Sequence, residues 1–433
     1  MMENINTTKQ SAGGAFEISP RVFAKNILGF QNELKDNFES PVTDFLGIII
    51  GEAIILGISD IHIEPQEKNA KIRARLDGIL QDILEIPLKN YESVLSRIKL
   101  ISGIKLNITN HPQDGRFTAL LEGKPIEIRT STLPAEYGES TVLRVLNPKS
   151  LITLKDLGLR EDVLKTLEKE LKKPNGMIIV TGPTGSGKTT TLYAFLKETQ
   201  KPEVKIITIE DPIEYHLPGI SQTQTNAAAG YDFASGLKSI LRQDPDVILI
   251  GEIRDLETVE IAIQASLTGH MVFSTLHTND AAGTIARLAS LGAKAANIAS
   301  ALNMIVAQRL VRKICRFCSK PDIISPENLK KIKKELEDLP KSVKLPKITE
   351  TTKIQRGHGC EKCNNTGYLG RLGIFEIFLV DDEMEKFILT NPSIAALRKE
   401  LSRRNMISMK QDGFIKILEG ITTIEEVERV SGE

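Results

Sequence analysis

Apolar and polar positions change their rhythm three times along this chain. Residues 1–40 carry few apolar positions at a regular spacing and read as a flexible N-terminal arm with room for one helix. The densest apolar run, FLGIIIGEAIILGI from Phe45 to Ile58, is broken by Gly47, Gly51, Glu52 and Gly57. It falls short of the roughly 18–20 residues that cross a bilayer, so a buried helix around 44–57 is expected. Short alternating runs follow in DIHIEP, AKIRARLDGIL, RFTALLEG and PIEIRTSTLP, separated by Gly and Pro, and these read as strands. Residues 41–150 therefore form a small α+β domain. From about residue 155 the runs become continuous and β-branched (MIIVT, KIITIE, VILIGE, MVFST) and alternate with helix-length segments. Such strands are buried on both faces, which predicts a mostly parallel sheet in an α/β domain over 151–433, with helices closing it at 380–433. The Lys/Glu-rich stretch 329–348 reads as a projecting helical element.

Composition narrows the function classes. The 433 residues hold 56 basic and 56 acidic side chains, no tryptophan and 5% aromatics. A dedicated nucleic-acid binder shows a basic excess or stacking aromatics, so none is expected as a partner. The N-terminus has no basic-then-apolar leader, which points to the cytoplasm and to reduced thiols.

Gly182, Pro183, Thr184, Gly185, Ser186, Gly187, Lys188 and Thr189 spell G-x-x-x-x-G-K-[ST] between an apolar strand and a helix, with Thr190 in that helix's first turn. Glycines let backbone N–H groups close around phosphate oxygens, and the helix N-terminus adds partial positive charge. Lys188 is placed for the β/γ-phosphates, and the Thr189 hydroxyl for Mg²⁺. A nucleoside triphosphate is the expected ligand.

Acids and histidines suited to its hydrolysis follow. VILIGE ends on Glu252, a carboxylate placed to activate water, with Gly251 where a metal-binding aspartate is usual. IEDPIE supplies Glu210, Asp211 and Glu214 at another strand end, where an open α/β sheet gathers its ligands. His270 and His277 bracket MVFST and are candidate γ-phosphate sensors.

GPTGSGKTTTLYAFL, ITIEDPIEYHLPGISQTQTN, LRQDPDVILIGEIRD and ASLTGHMVFSTLHTNDAAGTIARL resemble the Walker A, Asp-box, Walker B and His-box motifs of type II secretion and type IV pilus assembly ATPases. The likeness extends through SDIHIEP, QDGRF and IEIRTSTLPAEYGESTVLRVL upstream and DGFIKILEGITTIEEV downstream. It implies a RecA-like ATPase core preceded by the smaller domain, in a homo-hexamer that hydrolyses ATP with Mg²⁺. The work implied is filament assembly on an inner-membrane platform protein, with only peripheral membrane association. The same likeness gives Glu252 the role of general base and Glu214 the Asp-box role. It pairs His270 with His277, and it makes Arg116 and Arg129 arginine fingers, with Arg144 a third candidate. By residue chemistry alone these arginines are surface cations. A RecA-like DNA translocase and a retraction or competence motor are the alternatives.

All four cysteines lie in two Cys-x-x-Cys pairs, Cys315/Cys318 and Cys360/Cys363. Two such pairs suit a tetrahedral Cys₄ zinc site of structural type, within an insert over 312–368. A redox pair would open a thioredoxin-like helix, and four thiolates leave no open position for a catalytic zinc. Many assembly-type members of the resembled family carry a tetracysteine insert, whereas retraction motors lack it.

Overall fold

The computed structural model describes residues 15–146, 152–340, 343 and 345–432. It divides into two compact units, Met1–Lys149 with His358–Leu369, and Ser150–Gly357 with Gly370–Glu433.

The first unit runs β1 (Ala15–Glu17), α1 (Ile27–Asp36), α2 (Val42–Leu56), β2 (Asp60–Pro65), β3 (Asn69–Leu76), β4 (Ile79–Pro87), α3 (Leu88–Ile101), β5 (Gln113–Leu121), β6 (Lys124–Ala135) and β7 (Gly138–Leu146). Its seven strands pair in the order β1-β5-β6-β7-β2-β3-β4, antiparallel except for β1 beside β5. Alternation sorts the faces: Ile61, Ile63, Ile72, Phe117, Ile128 and Leu143 are buried in one core with α2. Side chains one residue out of step, such as Asp60, Arg129 and Arg144, occupy the other face.

The expected arm over 1–40 is only partly right in kind, and residues 1–14 lie outside the described ones. Phe16 and Ile18, and Ile27, Phe30 and Leu34 of α1, are buried in this core. The glycines that interrupt α2 explain the docking. A Cβ on Gly51 would stand 2.3 Å from the Phe23 ring, so a side chain there would push that ring off the helix. Buried Glu52 then accepts the Ala24 N–H at 2.9 Å, and burial raises its carboxyl above the ordinary range.

The second unit contains α4 (Glu161–Glu170), β8 (Gly176–Thr181), α5 (Lys188–Thr199), β9 (Ile206–Glu210), β10 (Ser221–Gln224), α6 (Phe233–Leu241), β11 (Val247–Ile250), α7 (Leu256–Leu267), β12 (Met271–Leu276), α8 (Ala281–Ser290), α9 (Ala295–Ala301), β13 (Leu302–Ile314), β14 (Ser319–Ile323), α10 (Pro326–Glu335), β15 (Lys353–Gly357), β16 (Tyr368–Leu379), α11 (Asp382–Leu389), α12 (Ile394–Arg403), α13 (Met409–Leu418) and α14 (Ile424–Ser431). Its main sheet has the order β10-β9-β11-β12-β8-β13-β16, and every pairing from β10 to β13 is parallel. Ile178 and Val180 of β8 face α5, while Met177 and Ile179 face a second core that includes α7, α8 and α9. This is the α/β fold expected from the continuous apolar runs.

β14 and β15 form a separate antiparallel ribbon. The element between the cysteine pairs does not project. Leu329 and Ile332 of α10 are buried in the main core, and Lys331 and Glu335 pair with Glu428 and Lys410 at 3.0 Å. Its apolar positions lie three apart, and that narrow stripe is masked in the sequence by the surrounding lysines. No helix among the described residues is long and apolar enough to cross a membrane.

Candidate functional site

β8 delivers the chain into the glycine-rich loop and α5 receives it. Gly182, Gly185 and Gly187 all have positive φ, at +153°, +78° and +88°. At Gly182 a Cβ would also stand 2.5 Å from the Ser186 hydroxyl oxygen and 2.6 Å from the Gln308 carbonyl. The loop thus needs glycine both for its turn and for its tightness. Pro183 and Thr184 form its outer arm, and Lys188, Thr189 and Thr190 make the first turn of α5. The Lys188 ammonium donates back to the carbonyls of Gly182 and Pro183 at 2.8 and 3.1 Å. Burial pushes its pKa down to about 8, opposed by the charge of Glu252. The Ser186 hydroxyl is buried with no hydrogen-bond partner among the described residues. A glycine-rich turn, a helix N-terminus and a lysine beside an acid fit a Mg²⁺-nucleotide.

The parallel register sets what surrounds this loop. Leu276 lies opposite Thr181, so β8 and β12 end level, while β11 ends at Ile250 opposite Ser274, two residues earlier, and the chain runs on through Gly251 to Glu252. Glu252 and His277 leave those ends and meet, carboxylate to Nε2, at 3.4 Å. Arg254 holds the other Glu252 oxygen and reaches Asp211 at 3.4 Å. Thr181 and Thr278 join hydroxyls at 2.7 Å, tying the loop's entry to the segment after His277.

Of the acids after β9, Glu210 is buried and fully engaged: Thr208, Tyr193 and Gln222 donate to it at 2.6, 2.5 and 3.2 Å. Burial raises its carboxyl above the ordinary range, and the nearby charge of Glu214 adds to this. Glu214 itself is half-buried in the following loop. His270 sits apart from His277. It precedes β12, its Nδ1 2.9 Å from the Ala265 carbonyl, at the amino end of a strand whose carboxyl end carries His277. Six strand residues at about 3.3 Å each place it roughly 20 Å from Glu252 within the chain.

In the first unit, Arg116, Arg129 and Arg144 are direct cross-strand neighbours on β5, β6 and β7. The row continues to Asp60 on β2, which pairs with Arg144 at 2.9 Å and Arg75 at 3.6 Å. Like charges directly opposite one another repel, and acids accompany this row: Asp60 beside Arg144 and Glu127 3.8 Å from Arg116.

The four cysteine sulfurs all lie within 4.8 Å of one another. Cys360 and Cys363 sulfurs are 3.7 Å apart, far beyond a disulfide bond and close to the edge of a tetrahedron with Zn–S of about 2.3 Å. Cys318 and Cys363 donate their N–H groups to the carbonyls of Cys315 and Cys360 at 3.2 and 3.1 Å, so each pair forms the same tight turn. The donor set fits zinc.

Sequence patterning missed Arg254, Asp60 and Gln308. The first two stand inside motifs quoted for other residues. Gln308 had one signal, a lone amide closing the apolar run Met304–Ala307.

A model of the type II/IV secretion system protein family matches residues 35–429. The chain is 43% identical over 406 residues to the type II secretion system ATPase E of Vibrio cholerae, covering 93% of this chain and 78% of the relative. It is 41% identical over 393 residues to the type IV pilus assembly ATPase PilB of Thermus thermophilus, covering 90% of this chain and 43% of that protein. Among solved structures, the pilus retraction motor PilT with bound ADP superposes with a TM-score of 0.59 at 28% identity, covering 89% and 96% of the two chains.

Proposed function

Because the chain belongs to the type II/IV secretion system protein family, we propose that it is a hexameric motor ATPase driving assembly of a type II secretion pseudopilus or a type IV pilus. The observation that carries this reading is the Glu252–His277 pair at neighbouring strand ends beside the Lys188 loop, close enough for the Glu252 charge to act on Lys188. A glycine-rich loop, a carboxylate and an imidazole on one edge of one sheet support the roles of phosphate cradle, base and polar sensor.

In this reading the loop N–H groups and Lys188 hold the β- and γ-phosphates. Mg²⁺, when bound through the Thr189 hydroxyl, supplies neutralising charge on the phosphates. Glu252 takes the proton of the attacking water, and Arg254 and His277 orient its carboxylate. Glu214, with Asp211 near it in sequence, orders polar groups around the reacting water. Arg116 and Arg129 act as arginine fingers, supplying charge when the γ-phosphoryl group departs; such fingers contribute on the order of 10³–10⁵ in rate. Loss of the γ-phosphate releases these contacts, and the resulting domain rotation is the stroke. His270, at the far strand end, has no part in the chemistry of its own subunit's site.

Cys315, Cys318, Cys360 and Cys363 hold a structural zinc, which favours assembly over retraction. The motor works at the cytoplasmic face of the inner membrane, held there by a platform protein. Phosphate release from ATP by the purified protein tests the reading. It should be abolished by Lys188→Ala, and either an inactive wild type or turnover that survives this change overturns it.

A further inference from the structure

The phosphate loop is held from behind by a residue outside every motif. The register of β13 against β8, with Val306 opposite Val180 and Ala307 opposite Thr181, brings Gln308 level with Gly182. Gln308 is 1% exposed and ends a buried run, Met304–Ala307, that is otherwise apolar. Its Nε2 donates to the Ser186 carbonyl at 2.7 Å, and its Oε1 accepts from the Thr191 hydroxyl at 2.8 Å. The Ser186 carbonyl, which can only accept, fixes which way the amide faces, and the Thr191 hydroxyl then donates to the oxygen. Reversed, Oε1 would oppose the Ser186 carbonyl oxygen.

Within one planar peptide the C=O and the next N–H point in opposite directions. Holding the Ser186 carbonyl against β13 therefore turns the Gly187 N–H away from the strand, into the loop. Gly187 has φ +88°, a conformation that a glycine enters and leaves at little cost, so its own backbone does not secure that orientation. An external tether is needed, and Gln308 is one.

We propose that Gln308 is a positioning residue for ATP: it fixes the Ser186–Gly187 peptide so that the Gly187 N–H is presented to the nucleotide phosphates. The proposal rests on the ATPase reading above. Gln308 touches no reacting atom, so its loss weakens nucleotide binding more than the chemical step.

The test is steady-state phosphate release across ATP concentrations, with melting temperatures of the nucleotide-free proteins. Gln308→Leu removes both contacts. Gln308→Glu keeps the acceptor for Thr191 and loses the donor to Ser186. Each should raise the KM for ATP about tenfold, the equivalent of one net hydrogen bond, with kcat lowered less than about threefold. Thr191→Val leaves the donor but removes one of the amide's two contacts, and should raise KM by about threefold. A KM within twofold of wild type in Gln308→Leu overturns the proposal, whatever its melting temperature. Should that variant fail to fold, an unmoved KM in Gln308→Glu or Thr191→Val overturns it instead. Wild-type protein without ATP turnover would sink the ATPase reading as well, whereas wild-type turnover with unmoved variants sinks this inference alone.

Discussion

Replacing Glu252 by Gln separates binding from chemistry at this site. The change preserves shape and one carbonyl oxygen and removes the charge that faces His277 at 3.4 Å and Arg254 on the other side. With 19% of its side chain exposed, Glu252 is accessible to a water and is held in place by both neighbours. A positioned general base contributes about 10²–10⁴ in rate, or about 2.7–5.5 kcal/mol of barrier. Turnover of Glu252→Gln should fall by that factor. Binding should not, because the loop N–H groups and Lys188 supply it. The Glu252 charge raises the Lys188 pKa toward its usual value, so its removal pushes that pKa further down. The comparison is therefore best made at pH 7 or below, where this effect on the ammonium is smallest. Phosphate release at saturating ATP and titration with a fluorescent ATP analogue, on the same preparations, read the two quantities. Turnover within tenfold of wild type would refute the base assignment. Loss of binding as large as the loss of turnover would make Glu252 a nucleotide-holding residue instead.

Lys188, with its pKa pushed down to about 8, is charged below that pH and neutral above it. Nucleotide affinity should fall about tenfold per pH unit above about 8, and a flat profile to pH 10 would refute this. Its folded pKa lies below the unfolded one, so the native state binds fewer protons between about 8 and 10.5, and its burial weighs less against stability as pH rises through that window. Asp412 accepts from Arg160 at 2.8 Å, Lys416 at 2.5 Å and the Phe375 N–H at 2.9 Å, all in the second unit's interior. Asp412→Ala strands Lys416, 2% exposed, and should cost about 3–5 kcal/mol. At about 2–4 °C per kcal/mol that lowers Tm by roughly 6–20 °C, and adding Lys416→Met should recover part of it; an unchanged Tm in Asp412→Ala refutes the pairing. Chelating zinc should speed amide exchange across 315–363 while ATP still binds at Lys188, and equal loss of both would end the division between structural and catalytic sites. Arg129→Ala should lower turnover about 10³-fold with little change in KM for ATP, and a loss under threefold would remove it from the chemistry.

Much of the site was legible because its chemistry is local. Gly182 to Thr189 needs only neighbouring residues to turn the backbone and open a helix, so the spacing carries the geometry. Two Cys-x-x-Cys pairs carry theirs in the same way, each making its own turn before the pairs meet. The helix at 42–56 and the parallel strands of the second unit followed from unbroken apolar runs, since burial on both faces leaves no polar alternation. Residues 15–36 were harder. Phe16, Phe30 and Leu34 are too few to show a period, and they are buried against a helix met later in the chain, where Gly51 leaves room for the Phe23 ring.

Legible in the residues alone were a glycine-rich loop of phosphate-binding type, a carboxylate at a strand end, a zinc-type cysteine set and the class of sheet that carries them. Tertiary structure alone decided which of the remaining candidates gather. Strand register set His277 against Glu252 and left His270 at the opposite end of β12, although the two flank the same short run. It also aligned Arg116, Arg129 and Arg144 across three strands with Asp60, and it brought Gln308 behind a loop more than a hundred residues earlier. Those placements depend on which strands pair and in what phase. That is fixed by the whole core at once, and no window of sequence contains it.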